Sequence, residues 1–452
     1  MSDRIKKIKV KKADGTFSDY IPIGADAENI DTTDGESVEI KLNKKPYYYD
    51  NVANMKADTT LKAGDMAITL GYYTANDSGG AEYKIVNDDT LVDDGGKVHS
   101  LTNGLRAVLI VEKGILNVKQ LGATENTNIT SILNKAINTY NAKYIYCNVN
   151  VKIGQNIQIA QNKNVVIDFM NNTIIFENQS QDNVMFNNYG SLSLINGIFD
   201  GNSNNSINIL RAKNNSINIV DNCSFINFKE TNKNLLTKIL LTYTGSYSII
   251  ERCHFENIKQ VGNGTITDGE GSASCVLSIT DTHGMTTNPT VCIVDNCTFK
   301  NNWNIDTNGS FIVEDFDNIK FQNNINESSN NIFIVSNITS YNSGKRVVKA
   351  QTSNVNINNI NCICDNFEML CVISCFFNNY NISNVFGKCI NNGKMSKGIE
   401  CNESSNCNFN NINIEGYVES ESLFSSGIMI TGGSNYSINN VITKGFSSNF
   451  II

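Results

Sequence analysis

The stretch "INIVDNCSF" at residues 217–225 returns as "VCIVDNCTF" at 291–299, and in a looser form as "SIIERCHF" at 248–255. A nine-residue phrase repeated within one chain marks a structural unit that is used again and again, so self-similarity has to be read before any other feature. Aligned on the Asn, the series continues through Asn172, Asn196, Asn222, Arg252 (the one departure), Asn296, Asn318, Asn337, Asn359, Asn384, Asn411 and Asn440. The steps run from 19 to 30 residues, with one of 44 between Arg252 and Asn296. That long step reads as two coils, the second of which, around "SCVLSIT" (274–280), has lost its mark.

Each step is strand and turn. "VNINNI" (355–360), "YNISNV" (380–385), "FNNINI" (409–414) and "YSINNV" (436–441) alternate at period two. No interval after residue 145 has the spacing of an amphipathic helix, and the leucine pattern of leucine-rich repeats is absent. A short helix-free repeat of this kind predicts an all-β fold, a β-solenoid. The Asn then has a physical task. Asn enters the left-handed backbone region more readily than most residues, which suits a sharp bend between strands. Stacked once per coil at about 4.8 Å, its amides can bond to those above and below. The residue after it and the Phe two further on are expected to stack inward. The ladder Asn196, Asn222, Asn296, Asn318, Asn337, Asn359, Asn384, Asn411 and Asn440 is expected to lie in a buried turn.

A solenoid exposes an unpaired edge and an apolar end at its first coil. In "TNITSILNKAINTY" (127–140), Ile129, Ile132, Leu133, Ala136, Ile137 and Tyr140 have helical spacing, which predicts a capping helix before the first strand, "KYIYCNVNV" (143–151). No comparable segment comes after Asn440, so the other end is expected to be open, covered by a neighbouring subunit, or free for a target. Three parts are expected: a small β module at 1–45, with a hairpin turning at Asp14-Gly15; a small β stem domain at 46–117; and the β-helix at 118–452.

Composition narrows the partners. The formal charge of −8 and the pI near 5.1 argue against nucleic acid, apart from the basic run "RIKKIKVKK" (4–12), a solvated edge strand or a docking strip for an acidic partner. The longest apolar run, "MLCVISCFF" (369–377), is far short of a membrane span, and the first residues lack a secretory core, so folding in a cytoplasm is expected. Thirteen cysteines without a CxxC pair, and three histidines (99, 254 and 283), give no metal-ligand spacing; the cysteines read as small buried thiols. No metal and no cofactor is expected.

The block "DMAITLGYYTANDSGGAEYKIV" (65–86), then "NGLRAVLI" (103–110), "LNVKQLGA" (116–123) and a helix resembles the stem of bacteriophage tail spikes and tail fibres, and the repeat region beyond it resembles their pectate-lyase-like right-handed parallel β-helix, so the resemblance implies that form of solenoid. Where that family carries "DGxxDDT", this chain has "LGATENTNITSIL" (121–133), without the acidic turn. The opening "RIKKIKVKKADGTFSDYIPIGADAENI" (4–30) resembles the N-terminal modules of phage baseplate appendages. The resemblance implies a homotrimer made in the bacterial host cytoplasm, carried on a virion tail or baseplate through its N-terminus, and meeting a host cell-surface glycan outside the target cell. It leaves three functions open: attachment to that polysaccharide, its depolymerisation by a glycosidase or lyase, or a structural part of a baseplate or fibre.

Cleavage of a glycosidic bond needs two carboxylates, about 5–5.5 Å apart for retention. The residue before the ladder position is expected to point outward. There Asp295 and Asp317, read as one coil apart, form the candidate catalytic pair, with Asp315 beside them. Turn stabilisation by backbone amides is the other reading of such aspartates. Trp303, in the polar turn "KNNWNIDTNGS" (300–310), is a candidate sugar platform, with Glu314, Asp268 and Glu270 as further candidate glycan contacts. Asp200, in "IFDGN" (198–202), reads as structural.

Overall fold

The computed structural model describes residues 7–8, 16, 21–22 and 46–451, apart from 155, 178–183, 203–207, 214, 231–237, 244, 262–273, 281–288, 306–315, 322–330 and 417–424. Two compact units divide the chain: 1–110 with 120–122, and 111–119 with 123–452.

In the first unit, Lys7–Ile8 pairs antiparallel with Ile21–Pro22, with Lys7 opposite Pro22 and Ile8 opposite Ile21. The turn expected at Asp14-Gly15 lies outside the described residues. A separate sheet has five strands, in the order Tyr47–Tyr49, Met66–Thr69, Ala81–Val86, Arg106–Leu109 and Val98–Ser100. Its first pair is parallel and the others antiparallel. A short helix, Val52–Ala57, starts at Asn51, whose side chain accepts the amide of Asn54 at 2.9 Å.

The second unit is the solenoid, a right-handed parallel β-helix in which every strand pairing among the described residues is parallel. A typical coil runs Ile217–Asp221 (face A), bends, continues as Ser224–Ile226 (face B), adds the short Lys229–Glu230, and closes with Lys238–Tyr243 (face C). The next coil places Tyr247–Glu251, His254–Glu256, Lys259–Val261 and Ser274–Thr280 on the same faces, in direct register. Face C holds eleven described strands, from Ile157–Ile159 to Ser448–Ile451. Strand Ile115–Asn117 pairs with Tyr144–Tyr146 and belongs to the solenoid. From Ile332–Tyr341 onward, faces A and B merge into one long bent strand per coil.

The repeated phrase folds as its chemistry requires. Asn196, Asn222, Arg252, Asn296, Asn337, Asn359, Asn384, Asn411 and Asn440 all have φ between +49° and +58°, at the bend between faces A and B. Their amides link the coils: Asn222 donates to Asn196 at 2.8 Å, Asn359 to Asn337 at 2.7 Å, Asn411 to Asn384 at 2.7 Å and Asn440 to Asn411 at 3.0 Å. The following Cys223, Cys253 and Cys297 and the next Phe225, Phe255 and Phe299 are buried. Phe199, Phe225, Phe255 and Phe299 stack with centroids 4.9–5.0 Å apart and planes within 9°. The ring spacing matches the strand spacing of about 4.8 Å, so each coil carries its aromatic core at the coil repeat. Twelve of the thirteen cysteines are buried free thiols, and Cys389 is half-buried.

Four sequence expectations are corrected. The ladder is on the outside: Asn222, Asn296, Asn337, Asn359, Asn384, Asn411 and Asn440 are exposed. Its amides point along the solenoid axis, so they can bond to one another at the surface. Asn318 is not a rung. It sits buried in the face C strand Phe316–Phe321 and donates to Ser340 Oγ (3.2 Å) and the Ser343 carbonyl (3.0 Å). Asn172 donates inward to the Cys147 carbonyl instead, and the positive φ in its turn falls on Met170 and Asn171. The step of 44 residues is one coil, because Glu251 is the direct register partner of Asp295; Ser274–Thr280 is that coil's face C strand.

Two further asparagine corners lie outside the aligned series. Asn227, Asn257, Asn301 and Asn342 take positive φ at the far end of face B, and Asn354, Asn379, Asn406 and Asn435 do so before face A. In the latter row Asn379, Asn406 and Asn435 each donate to the rung before, at 2.8–3.0 Å. The first of these corners is legible as an Asn five residues after Asn222, Arg252, Asn296 and Asn337.

The segment expected to be a capping helix is α-helical over Thr130–Asn134 and continues with the wider i→i+5 winding over Lys135–Thr139. Ile129, Leu133, Ala136, Ile137 and Tyr140 are buried, and Asn138 donates to the Gln158 carbonyl of the first face C strand.

Candidate functional site

The outward residue before the ladder bend is acidic in three successive coils. Asp221, Glu251 and Asp295 end the strands Ile217–Asp221, Tyr247–Glu251 and Val291–Asp295 and are register partners in turn. They protrude because Val220, Ile250 and Val294, one residue earlier, take the inward position of the alternation. Cα atoms in register on neighbouring strands lie about 4.8 Å apart. Arg252, which stands in the ladder position, donates to Asp221 Oδ2 (2.5 Å) and Glu251 Oε1 (2.7 Å). Asp295 accepts from Ser336 Oγ (2.5 Å) and Asn337 Nδ2 (2.7 Å). Both carboxylates are therefore held from one side, and Glu251 remains 37% exposed.

On face B, just past the bend, Glu256 bonds His254 Nε2 at 2.9 Å and pairs with Lys300 Nζ at 2.7 Å. Hydrogen bonds from Lys300 and then His254 hold the Glu256 carboxyl below the usual range. Further along the lane, Asp168 accepts from Tyr144 Oη (2.7 Å) and Asn196 Nδ2 (3.0 Å). Burial raises its pKa, but these bonds outweigh it and hold the carboxyl low. The Glu251–Asp295 neighbourhood thus carries carboxylates, a guanidinium, an imidazole and an ammonium on one outer corner. The sequence signal for it was the "ERCHFE" of the looser repeat copy (251–256).

The pairing of Asp295 with Asp317 is not found. Asp295 ends a face A strand and its next-coil partner is Ser336, whereas Asp317 lies on face C between Cys275 and Arg346. The interval from 295 to 317 crosses from one face to another within a single coil, so sequence spacing imitated a coil step. Asp317 is fully buried and accepts Arg346 Nη1 at 3.0 Å. Asp315, Glu314, Asp268 and Glu270 lie outside the described residues.

Trp303 starts the short strand Trp303–Ile305, which pairs with Lys259–Val261. Its ring is engaged by the protein: Lys259 Nζ lies 3.0 Å from the ring centroid and Phe367 packs at 5.4 Å. Lys259 also donates to the Asn301 carbonyl, and burial pushes its ammonium down to about 7. Asp200 accepts from the Asn202 amide and Asn227 Nδ2, a structural arrangement.

Face C carries a second polar array. Ser278, Lys320, Lys349, Ser374 and Glu400 are successive register partners, none more than 8% exposed. Glu400 accepts from Ser374 Oγ (3.2 Å) and pairs with Lys397. Separately, a groove of about 590 Å³ runs along the helical segment, lined by Asn128, Thr130, Ser131, Asn134, Lys135, Asn138 and Thr139, without a carboxylate. Among the described residues, no group of three or more His, Cys, Asp or Glu is placed to hold a metal ion, and no helix is long and apolar enough to cross a membrane.

No protein-family model matches this chain, and no curated protein matches it in sequence. Solved structures do. A tailspike of Acinetobacter baumannii bacteriophage Fri1, described as a capsular polysaccharide depolymerase, superposes with a TM-score of 0.54 at 13% identity over 90% of this chain and 76% of its own. The enzymatically active domain of tailspike protein 2 from bacteriophage CBA120 gives a TM-score of 0.43 at 13% identity, over 89% of this chain and 55% of its own. A Pantoea stewartii glycan biofilm-modifying enzyme with a tailspike-like β-helix gives 0.42 at 12%, over 89% and 51%. This chain thus spans about half the length of the latter two. The first of these likenesses establishes the shared parallel β-helix fold.

Proposed function

We propose that this chain is a receptor-binding spike of a bacteriophage or phage-tail-like particle, and that its solenoid attaches to a host cell-surface polysaccharide. The observation that carries the reading is the tailspike-type β-helix with an outer surface of stacked, exposed amides. Rows such as Asn337–Asn359 and Asn384–Asn411 offer donors and acceptors at the coil repeat, a spacing suited to the hydroxyls of an extended sugar chain. The particle would hold the spike through its N-terminal region, and the chain would act as a parallel homotrimer.

A second reading, depolymerisation, is favoured by Glu251 and Asp295. As register partners facing outward, they stand one strand spacing apart at the backbone, about 4.8 Å, which lets two carboxylates approach the separation of about 5 Å used by retaining glycosidases. One would protonate the leaving oxygen and the other attack the sugar; a lyase would use one of them as base. The acids of face A replace the Asp295–Asp317 pair as the site to test.

The test is binding of the purified protein to a glycan array, followed by assay of bound polysaccharides for new reducing ends or unsaturated sugars. Binding without products supports attachment, and products support depolymerisation. No binding to any array member, together with labelling of the protein inside the baseplate rather than at its periphery, would leave only a structural role. Light scattering tests the assembly, with about three times the 49.8 kDa chain mass expected.

A further inference from the structure

Lys320 occupies an unusual position. It is 3% exposed, and among the described residues it has neither a hydrogen-bond nor an ion-pair partner. Its register neighbours are Ser278 on one side and Lys349, also buried, on the other. Lys238 adds another like charge nearby. The nearest acid, Asp317, already accepts the Arg346 guanidinium at 3.0 Å, and Glu400, two coils beyond Lys349, already holds Lys397 and Ser374. Face C therefore concentrates positive charge around one buried ammonium.

Burying an ammonium without a partner is costly, and proteins seldom retain one that nothing offsets. An alkyl side chain would fill the same volume at lower cost. Burial does push the Lys320 ammonium below its usual range, with Lys349 adding to the effect, but the same low dielectric strengthens any contact with an arriving anion. Neutral sugars carry nothing that uses this. Carboxylated or phosphorylated sugars do.

We infer that face C around Lys320 is a subsite for an anionic substituent of the polysaccharide, so that the spike selects acidic over neutral glycans. This rests on the attachment reading and narrows its ligand class. A carboxylate or phosphate oxygen accepts from Lys320 Nζ, while Ser278 and Lys349, its neighbours in register, border the same place. The subsite is on face C, whereas the acid lane of Asp221, Glu251 and Asp295 is at the bend between faces A and B. Recognition of charge and any cleavage would therefore be separable by mutation.

The experiment uses the full chain. Binding to immobilised polygalacturonate, its carboxyl-reduced form and a glycerol-phosphate polymer is measured for the wild type, Lys320→Met and Lys152→Met, the last removing a half-buried lysine that pairs with Glu177 in a coil whose face C strand lies five strands before that of Lys320. The expected result is binding to one or both anionic polymers, roughly tenfold or more weaker for Lys320→Met and unchanged for Lys152→Met. Which polymer binds separates carboxylate from phosphate. Lys320→Met should melt at or above the wild-type temperature, which separates loss of binding from loss of fold. Equal binding by wild type and Lys320→Met, preference for the carboxyl-reduced polymer, or no binding to either anionic polymer overturns the subsite. Specific binding to neutral polysaccharides on the array would leave attachment standing while refuting this inference.

Discussion

Glu251 and Asp295 are direct register partners on neighbouring coils, although 44 residues separate them in the chain. Both point outward just before the bend, and each is held by a different donor set, Arg252 for Glu251 and Ser336 with Asn337 for Asp295. If the spike cuts its polysaccharide, Glu251→Gln and Asp295→Asn should each lower kcat by about 10²–10⁴-fold with binding retained. Asp317→Ala should act differently. It leaves Arg346 buried without its carboxylate, so a stability loss on the order of 3–5 kcal/mol is expected. Cleavage that survives both Glu251→Gln and Asp295→Asn would remove this corner from consideration.

The ladder predicts a graded response at Asn359. Its φ of +56° disfavours any residue with a Cβ except Asn and Asp, and its amide donates to Asn337. Asn359→Ala loses both features and should cost about 1–2 kcal/mol, whereas Asn359→Gly keeps the backbone and should cost less. Chemical denaturation of the two variants checks this. Equal losses would mean that the left-handed bend contributes nothing.

Phe255 sits between Phe225 and Phe299 in the aromatic stack. Phe255→Ala opens a cavity at the centre of the solenoid and should cost about 3–5 kcal/mol, with Phe255→Leu milder. Unfolding midpoints of both variants test whether the stack is packed as tightly as its spacing implies.

Thiol reactivity should divide sharply. Burial pushes the Cys292 and Cys371 thiols up to about 12, so they hold almost no thiolate at neutral pH. A thiol reagent should label Cys389 at most in the native protein and all thirteen cysteines after denaturation. Fast native labelling of the Cys223, Cys253 or Cys297 row would contradict the inward position after the ladder.

In the N-terminal unit, Asp93 should be a source of acid sensitivity. Burial raises its pKa, but the hydrogen bond from Lys56, followed by those from the Ser100 and Gly95 amides, outweighs this and brings it to about 2. A carboxyl with a depressed native pKa stabilises the fold above its unfolded value of about 3.9, and that stability is lost as pH falls toward 2. Hydrogen exchange of the Val98–Ser100 strand should accelerate over that window in the wild type, with a flatter profile in Asp93→Asn. Identical profiles would show that Asp93 does not anchor the strand.

The repeated phrase carried most of the fold by itself. Left-handed asparagines, period-two alternation and an inward Cys and Phe are local requirements that every coil meets with its own residues, so they are legible wherever the phrase stands. The amide bonds between Asn222 and Asn196 arise from the same repetition. Coil length is not written locally. Closing a surface loop costs little more when the loop is longer, so a coil can take 44 residues or 22 without disturbing the register of its faces. Sequence distance therefore misplaced Asn318 and Asp317, whose Asp-Asn sits on face C and copies the phrase by chance. Only the stacked structure decided that Glu251 is the neighbour of Asp295, that the ladder faces outward, and that Lys320 lies buried beside Lys349, because those relations are set by strand pairing between residues far apart in the chain.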